Sequence, residues 1–306
     1  MTEFYPEGFL DNAMGCSLTY TQNALMDAYY EKKILEARAT ICDSNHNLIV
    51  DLGCMDGIIL REEGALGIKE GTVRDIAVIS RVNRPVCFVI TSFEKDENTG
   101  KTVAMLSRRL AQEICMQNYI STLSPGDVIN ARITHLEPFG AFCDIGCGIV
   151  SLLPIDMISV SRLDHPKERF SVGMNIKAIV KSIDDGRISL THKELLGSWE
   201  ENAKMFEIGE TVTGIIRSVE DYGAFIELTP NLAGLAEPKE GIHPGQQASV
   251  YIKNIIPVRM KVKLIIIDTF EYNYTPSLPN YFFNENHIEK FTYSPKESDK
   301  IIETLF

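Results

Sequence analysis

Four aromatic side chains occupy matching positions in two segments of the 306-residue chain. Phe139 and Phe142 lie on either side of Gly-Ala in EPFGAFCDIG, and Tyr222 and Phe225 do the same in EDYGAFIELT, 83 residues later (139 to 222, 142 to 225). Rings exposed on the face of a strand can stack on flat ligands such as nucleobases, at about 1–3 kcal/mol per base. The spacing therefore indicates two surfaces capable of stacking.

The residues after each glycine alternate between apolar and other side chains, which predicts a strand with one buried face. Ala141 lies on the predicted interior face, whereas Phe142 and Asp144 share the outer face. In the later segment, Phe225 and Glu227 share that outer face. We therefore expect each ring to be exposed to solvent beside an exposed carboxylate. The alternative is that another element of the chain covers the rings.

Two cysteines could bind a metal. Cys143 and Cys147 are the most closely spaced of the seven cysteines, and with His135 or His165 they would form a zinc site. Ligand pairs of this kind usually occur with a matching second pair, which the sequence lacks. We therefore expect cysteines in the core or in turns, and neither a metal nor another cofactor.

The sequence offers no catalytic motif. It contains neither a glycine-rich phosphate loop nor a Gly-x-Ser-x-Gly elbow. Asp184 and Asp185 form a pair of carboxylates, but they lie at a predicted hairpin turn, where Asp is favoured for backbone reasons. We therefore expect no enzymatic activity.

Charge and hydropathy limit the partners. The net charge of −12 argues against general binding of polyanions, because attraction to phosphate depends on Lys and Arg. One stretch, YIKNIIPVRMKVKL, has no acid and carries Lys253, Arg259, Lys261 and Lys263. No apolar run approaches the roughly 20 residues that span a bilayer, and the acidic start lacks the features of a secretory signal. We expect a cytoplasmic protein without a membrane partner.

The elements that hold these residues form a repeat. GDVINARITHLEPFGAFCDIGCGIVSLLP aligns with GETVTGIIRSVEDYGAFIELTPNLAGLAEP. About five short alternating runs with glycine turns predict a small closed barrel of the OB type. The earlier segment ILEARATICDSNHNLIVDLGCMDGIIL has the same rhythm, with His46 and Ile49 in place of the two rings. It is interpreted as a diverged first barrel.

We predict a mainly β fold of three tandem five-stranded OB-type barrels, joined by short helices and followed by an aromatic C-terminal tail. Apolar residues at helical spacing and shifts in composition set the boundaries. The predicted order is a helical lead-in (1–33), a diverged first barrel (34–109), a helical linker (110–124), a second barrel (125–193), a helical linker (194–206), a shortened third barrel (207–268) and a tail packed on the third barrel (269–306).

The motifs together resemble the RNA-binding repeat of the bacterial ribosomal S-one family. The Gly-acid opening, the aromatic-Gly-Ala-Phe motif and GRISLTHKE carry the resemblance, and HKELLGSWEEN is similar to the linker after such a repeat. The resemblance covers roughly residues 34–267, and the middle repeat matches most specifically. In the family, the ring pair and an Asp and Arg of the closing turn contact RNA. This implies RNA contacts at Phe139, Phe142, Asp184, Arg187, Tyr222 and Phe225.

The resemblance implies a protein that binds single-stranded RNA and acts in translation, by recruiting mRNA to the small ribosomal subunit. We expect the protein to be a monomer. The third repeat lacks the closing Gly-Arg, and the four basic residues of the acid-free stretch are candidates to replace it. The first repeat lacks both rings and is expected to dock on the small subunit. Two alternatives remain, a scaffold of acidic barrels for protein partners and an accessory factor in RNA decay or transcription.

Overall fold

The computed structural model describes residues 4–9, 19–95, 100–271 and 276–306. Parts of the predicted lead-in, first barrel and tail therefore lie outside the described residues. The described residues form three closed barrels of five strands, which confirms the predicted fold class. The chain divides into two compact units, the first comprising residues up to 123 with 130–132 and 144–150, and the second the remainder. Within the described ranges, no helix has the length and apolar character needed to cross a membrane.

The first barrel follows a short helix, α1 (Gln22–Glu31). Thr21 caps this helix, because its hydroxyl oxygen accepts a hydrogen bond from the backbone N–H of Ala24. The long connection between its third and fourth strands contains a 3-10 turn (Arg61–Glu63) and α2 (Ile76–Ile79). The strands are β1 (Leu35–Cys42), β2 (Leu48–Asp51), β3 (Asp56–Ile59), β4 (Pro85–Lys95) and β5 (Thr102–Ser107).

The second barrel follows α3 (Arg108–Asn118), which is capped by Ser107, and a 3-10 turn (Ile120–Thr122). Its connections contain two further 3-10 turns, Ile155–Met157 and Pro166–Glu168. The strands are β6 (Val128–Glu137), β7 (Gly140–Asp144), β8 (Val150–Pro154), β9 (Asn175–Asp184) and β10 (Arg187–Thr191).

The third barrel follows a 3-10 turn (Lys193–Leu196) and α4 (Trp199–Ala203), which begins with a capping box at Ser198. Trp199 is buried in the apolar core of the third barrel. The strands are β11 (Thr211–Glu220), β12 (Gly223–Thr229), β13 (Leu232–Ala236), β14 (Gln247–Ile256) and β15 (Lys261–Phe270), with a 3-10 turn (Pro257–Arg259) between the last two; a hairpin of β16 (Lys290–Thr292) and β17 (Glu303–Leu305) closes the chain.

All three barrels share one topology. In each, the first strand pairs with the second and the fourth, and the third strand pairs with the fifth. The pairing of third and fifth strands is parallel (β3–β5, β8–β10 and β13–β15). Small and aliphatic side chains such as Ala141, Cys143, Ala224 and Ile226 are fully buried inside. The three outer surfaces can therefore be compared position by position.

The C-terminal tail lies on both the second and the third barrel. The backbone N–H of Val128 donates to the carbonyl oxygen of Asn286, and that of Ile288 to the carbonyl oxygen of Gly126, each at 2.9 Å. The hydroxyl of Tyr293 donates to the carbonyl oxygen of Asn231 at 2.7 Å. The tail thus spans the linker between the two barrels.

Candidate nucleic-acid interface

The two rings of the second barrel form one open corner. Phe139 is 55% exposed at the turn before β7, and Phe142 on β7 is half-buried. Their centroids are 6.0 Å apart and their planes perpendicular, at 90°. The ring of His135 lies 6.3 Å from Phe142 at an angle of 29°, and its Nε2 contacts a carboxylate oxygen of Glu137 at 2.7 Å. His135, which the sequence suggested only as a zinc ligand, thus adds a third ring.

The third barrel has the same corner. Tyr222 is 64% exposed and Phe225 is 36% exposed. The centroids of these two rings are 6.2 Å apart and their planes meet at 88°. Edge-to-face contact leaves the face of one ring open in each pair. Two barrels that differ in sequence thus hold the ring pair in one geometry.

The glycine between the rings is required by the neighbouring strand. A Cβ atom on Gly140 would lie 2.5 Å from the carbonyl oxygen of Leu153, and one on Gly223 would lie 2.2 Å from that of Ala236. Both contacts are closer than any side chain permits. The glycine therefore lets the third strand approach the start of the second, and this approach fixes the corner that carries the rings.

Strand register defines a row of residues across the outer face of each barrel, here called the ring row. In the third barrel, Phe225 pairs with Leu235, and Leu235 pairs with Lys263. In the second barrel, Leu152 pairs with Ser189, and the 83-residue alignment with Phe225 and Leu235 places Phe142 beside Leu152 on the neighbouring strand. The ring row of the first barrel contains Ile49, Ile58 and Met105. A lysine thus shares the row with a ring in the third barrel, and the first barrel has neither.

The closing turn of the second barrel carries the predicted Asp and Arg. Asp184 and Arg187 are exposed and pair across the turn, whose residues 185 and 186 have φ of 49° and 74°, as the tightest hairpins require. Arg187 lies two residues before the ring-row residue of β10. In the third barrel, the ring-row residue of the fifth strand is Lys263, and Lys261 lies two residues before it on β15. Lys261 therefore occupies the position that Arg187 has in the second barrel. The third repeat, which lacks the closing Gly-Arg, thus has a basic residue at the position of Arg187.

The other basic residues lie near the ring row. Lys253 is the extra residue of a β-bulge in β14, and its Nζ lies 3.2 Å from a carboxylate oxygen of the exposed Glu237. Arg259 is exposed in the turn between β14 and β15. In β9 of the second barrel, Lys181 is the extra residue of the matching bulge. Sequence reasoning missed Lys181, because only the strand register shows that it corresponds to Lys253.

The expectation of exposed carboxylates beside the rings was wrong. Glu227 is 5% exposed, because Arg169 and Arg217 both donate to its carboxylate, the Nε of Arg217 at 2.8 Å. Asp144 is 1% exposed and accepts the backbone N–H of Glu7 at 2.8 Å. Burial, with the nearby charge of Glu7, raises the pKa of Asp144 to about 7. Alternation assigned both residues to the outer face correctly, but it carries no information on what covers that face.

The cysteine pair is divided between two environments. Cys143 is buried on β7, and Cys147 is buried against the thiols of Cys115 and Cys87. Hydrogen bonds from these two thiols lower the pKa of Cys147 to about 5. The residues that the structure describes contain no group of three His, Cys, Asp or Glu side chains placed to hold a metal ion.

The first barrel uses its corresponding residues for internal contacts. His46 lies in a turn with φ of 64°, and its Nδ1 is 3.4 Å from a carboxylate oxygen of Asp75. Arg61 contacts the same carboxylate at 2.7 Å. Ile49, which stands in the position of Phe142, is half-buried.

Comparison with known proteins finds a matching domain family and related sequences. Residues 122–193 match the S1 RNA binding domain. The chain is 34% identical over 232 residues to small ribosomal subunit protein bS1 of Staphylococcus aureus (strain COL), covering 65% of this chain and 59% of the relative. It is 28% identical over 218 residues to bS1 of Rhizobium meliloti (strain 1021), covering 65% and 37%. The predicted resemblance to S-one repeats is therefore confirmed.

The chain spans about three fifths or less of the length of these ribosomal proteins. Among solved structures, it is similar to a multidomain protein with nucleic acid binding domains from Streptococcus pneumoniae TIGR4. The two are 13% identical, 78% of this chain and 74% of the other are covered, and the TM-score is 0.26.

Proposed function

We propose that the second and third barrels bind single-stranded RNA by stacking its bases on their ring pairs, and that the protein acts in translation by recruiting mRNA to the small ribosomal subunit. The observation that supports this most directly is the repeated corner, with centroid separations of 6.0 and 6.2 Å and angles of 90° and 88°. The residues proposed to contact RNA are Phe139, Phe142, Asp184, Arg187, Tyr222, Phe225, Lys253, Arg259, Lys261 and Lys263.

Single strands suit this surface better than duplexes. Bases in a duplex are already stacked on one another, whereas an unpaired base can lie flat on an aromatic ring. Because rings do not read base edges, binding should tolerate many sequences. Few lysines and arginines lie near the ring rows, and the net charge is −12, so affinity should fall only gently with salt.

The first barrel has a different proposed task. Its ring row consists of Ile49, Ile58 and Met105, which offers no stacking platform. We assign it to docking on the small ribosomal subunit, in a cytoplasmic and monomeric protein. Co-sedimentation of the protein with purified small subunits, with and without mRNA, tests this assignment. A protein scaffold, or a factor in RNA decay or transcription, is the alternative.

The stacking proposal is tested with Phe142→Ala and Phe225→Ala. Fluorescence anisotropy with a short unstructured RNA, at two salt concentrations, gives the affinities. Each variant should weaken binding by about 5- to 150-fold, the equivalent of about 1–3 kcal/mol. Tyr30→Ala is the matched control, because it removes a ring that is 74% exposed on α1, remote in sequence from both corners.

Both rings are at least partly exposed, so the variants should stay folded, and a thermal melt checks this. If folded variants bind as tightly as the wild type, the rings are not the stacking platforms. If the wild-type protein binds no RNA even at low salt, the scaffold alternative gains support.

A further inference from the structure

The outer face of the third barrel continues beyond its ring row. Tyr251 on β14 pairs with Ile265 on β15, and the two residues are 37% and 39% exposed. Ile267, on the same strand as Ile265, is 52% exposed. A further aromatic ring therefore lies on the open surface of the barrel that carries Tyr222 and Phe225.

The corresponding surface of the second barrel is closed. Beyond the matching bulges, Thr191 pairs with Ile179 in the second barrel, and Ile265 pairs with Tyr251 in the third. Ile179 therefore occupies the position of Tyr251. Ile179 is fully buried. The residues of its apolar cluster come from the tail, the barrel's first strand and the 3-10 turn after the barrel: Ile288, Tyr281, Phe283, Phe291, Phe306, Val128 and Leu195. The tail thus covers on one barrel the face that stays open on the other.

The charges near Tyr251 favour a nucleic acid over an apolar peptide. Lys263 precedes Ile265 by two residues on the same face of β15, and Lys253 follows Tyr251 by two residues on β14; both lysines are exposed. Along the barrel surface across β13 and β15, three strand steps lead from Phe225 to β14, about 14 Å at the usual strand spacing. Aromatic rings thus lie at both ends of this stretch of surface, and lysine ammonium groups lie along it. Rings that stack on bases and cations that contact phosphates together bind a single strand.

We infer that the RNA path on the third barrel runs from Tyr222 and Phe225 across β13 and β15 to Tyr251, which stacks a further base. On the second barrel, the tail ends the equivalent path at Ile179. This inference rests on the proposed function and assigns the longer binding site to the third barrel.

The test measures RNA affinity of the full chain with Tyr251→Ala, Tyr251→Phe and Phe225→Ala, using oligouridine probes of about 4 and about 12 nucleotides, within the range of OB-fold site sizes. Tyr251→Ala should weaken binding of the longer probe by at least about fivefold and affect the shorter probe less, because only the longer one spans the whole path. Tyr251→Phe keeps the ring and should bind like the wild type, as should the exposed-ring control Tyr30→Ala.

The outcomes separate the inference from the proposed function. If Phe225→Ala weakens binding and Tyr251→Ala does not, the path does not reach Tyr251 and the inference is overturned. If neither change weakens binding, the third barrel does not bind RNA by stacking, and that part of the proposed function is wrong. Should Tyr251→Ala lower the melting temperature, Tyr251→Leu keeps an apolar side chain beside Ile265 without a ring, and the same outcomes apply.

Discussion

Removing the charge of Glu227 should destabilise the protein far more than its place on an outer strand face suggests. Its carboxylate accepts hydrogen bonds from Arg169 and Arg217, and Arg217 also pairs with Glu168. The exposed fractions of the Glu227, Arg169 and Arg217 side chains are 5%, 7% and 10%. Glu227→Gln would therefore remove the negative charge that faces two guanidinium groups in a nearly water-free site.

The size of the effect follows from this burial. Removing one partner of a buried ion pair costs about 3–5 kcal/mol, because the remaining charge is neither hydrated nor compensated. An exposed pair contributes about 0–1 kcal/mol, because water and salt screen it. The same barrel offers such a pair in Glu237 and Lys253, whose side chains are 76% and 52% exposed. Glu237→Gln is therefore a control with the same chemical change.

Urea unfolding followed by circular dichroism measures the free energy of unfolding of the wild type and both variants. Glu227→Gln should lower it by about 3–5 kcal/mol, and Glu237→Gln by no more than about 1 kcal/mol. Equal, small losses in both variants would refute the reasoning. They would mean that water reaches Glu227, as strand alternation alone predicted.

Burial lowers the pKa of His192 to about 4, so only the unfolded chain takes up this proton between pH about 6.5 and about 4. The contribution of His192 to stability should fall by about 3 kcal/mol as the pH drops through that window, whereas Asp144, with its pKa of about 7, acts in the opposite direction in the wild type and in His192→Gln alike; the difference in unfolding free energy between the wild type and His192→Gln should therefore change by about 3 kcal/mol between the two pH values, and an unchanged difference would exclude His192 as a source of pH dependence. Gly223→Ala should lower the melting temperature more than Gly241→Ala, because nothing lies within 4 Å of a Cβ at Gly241, whereas the one at Gly223 meets a carbonyl oxygen; equal shifts would contradict this. Lys263→Gln should reduce the salt slope of RNA binding by about 0.7, the value for one phosphate contact to a single strand, and an unchanged slope would remove Lys263 from the path.

The barrels and the corners could be predicted because their signals are local. Apolar residues at every second position mark strands with one buried face, and glycines mark the turns between them. Ala141 and Ala224 are buried inside as this pattern requires, and Phe139 and Tyr222 are exposed. The spacing of 83 residues between the corners was enough to identify the repeat.

The strand register could not be predicted, because it depends on pairing between residues far apart in the chain. A bulge shifts that pairing by one residue, and no periodicity reveals where it occurs. Lys181 and Lys253 correspond to each other only through matching bulges. Lys261 likewise corresponds to Arg187 only through the parallel pairing of β13 with β15.

The sequence by itself determined which residues lie on the outer faces, and the tertiary structure alone decided which of them meet solvent. Phe225, Glu227 and Tyr251 all point away from the interior of the third barrel, yet Glu227 is covered by two arginines and the two rings are not. On the second barrel, Ile179 lies beneath a tail more than 100 residues later in the chain. Alternation is a property of a single strand, whereas coverage depends on what the rest of the chain packs against it.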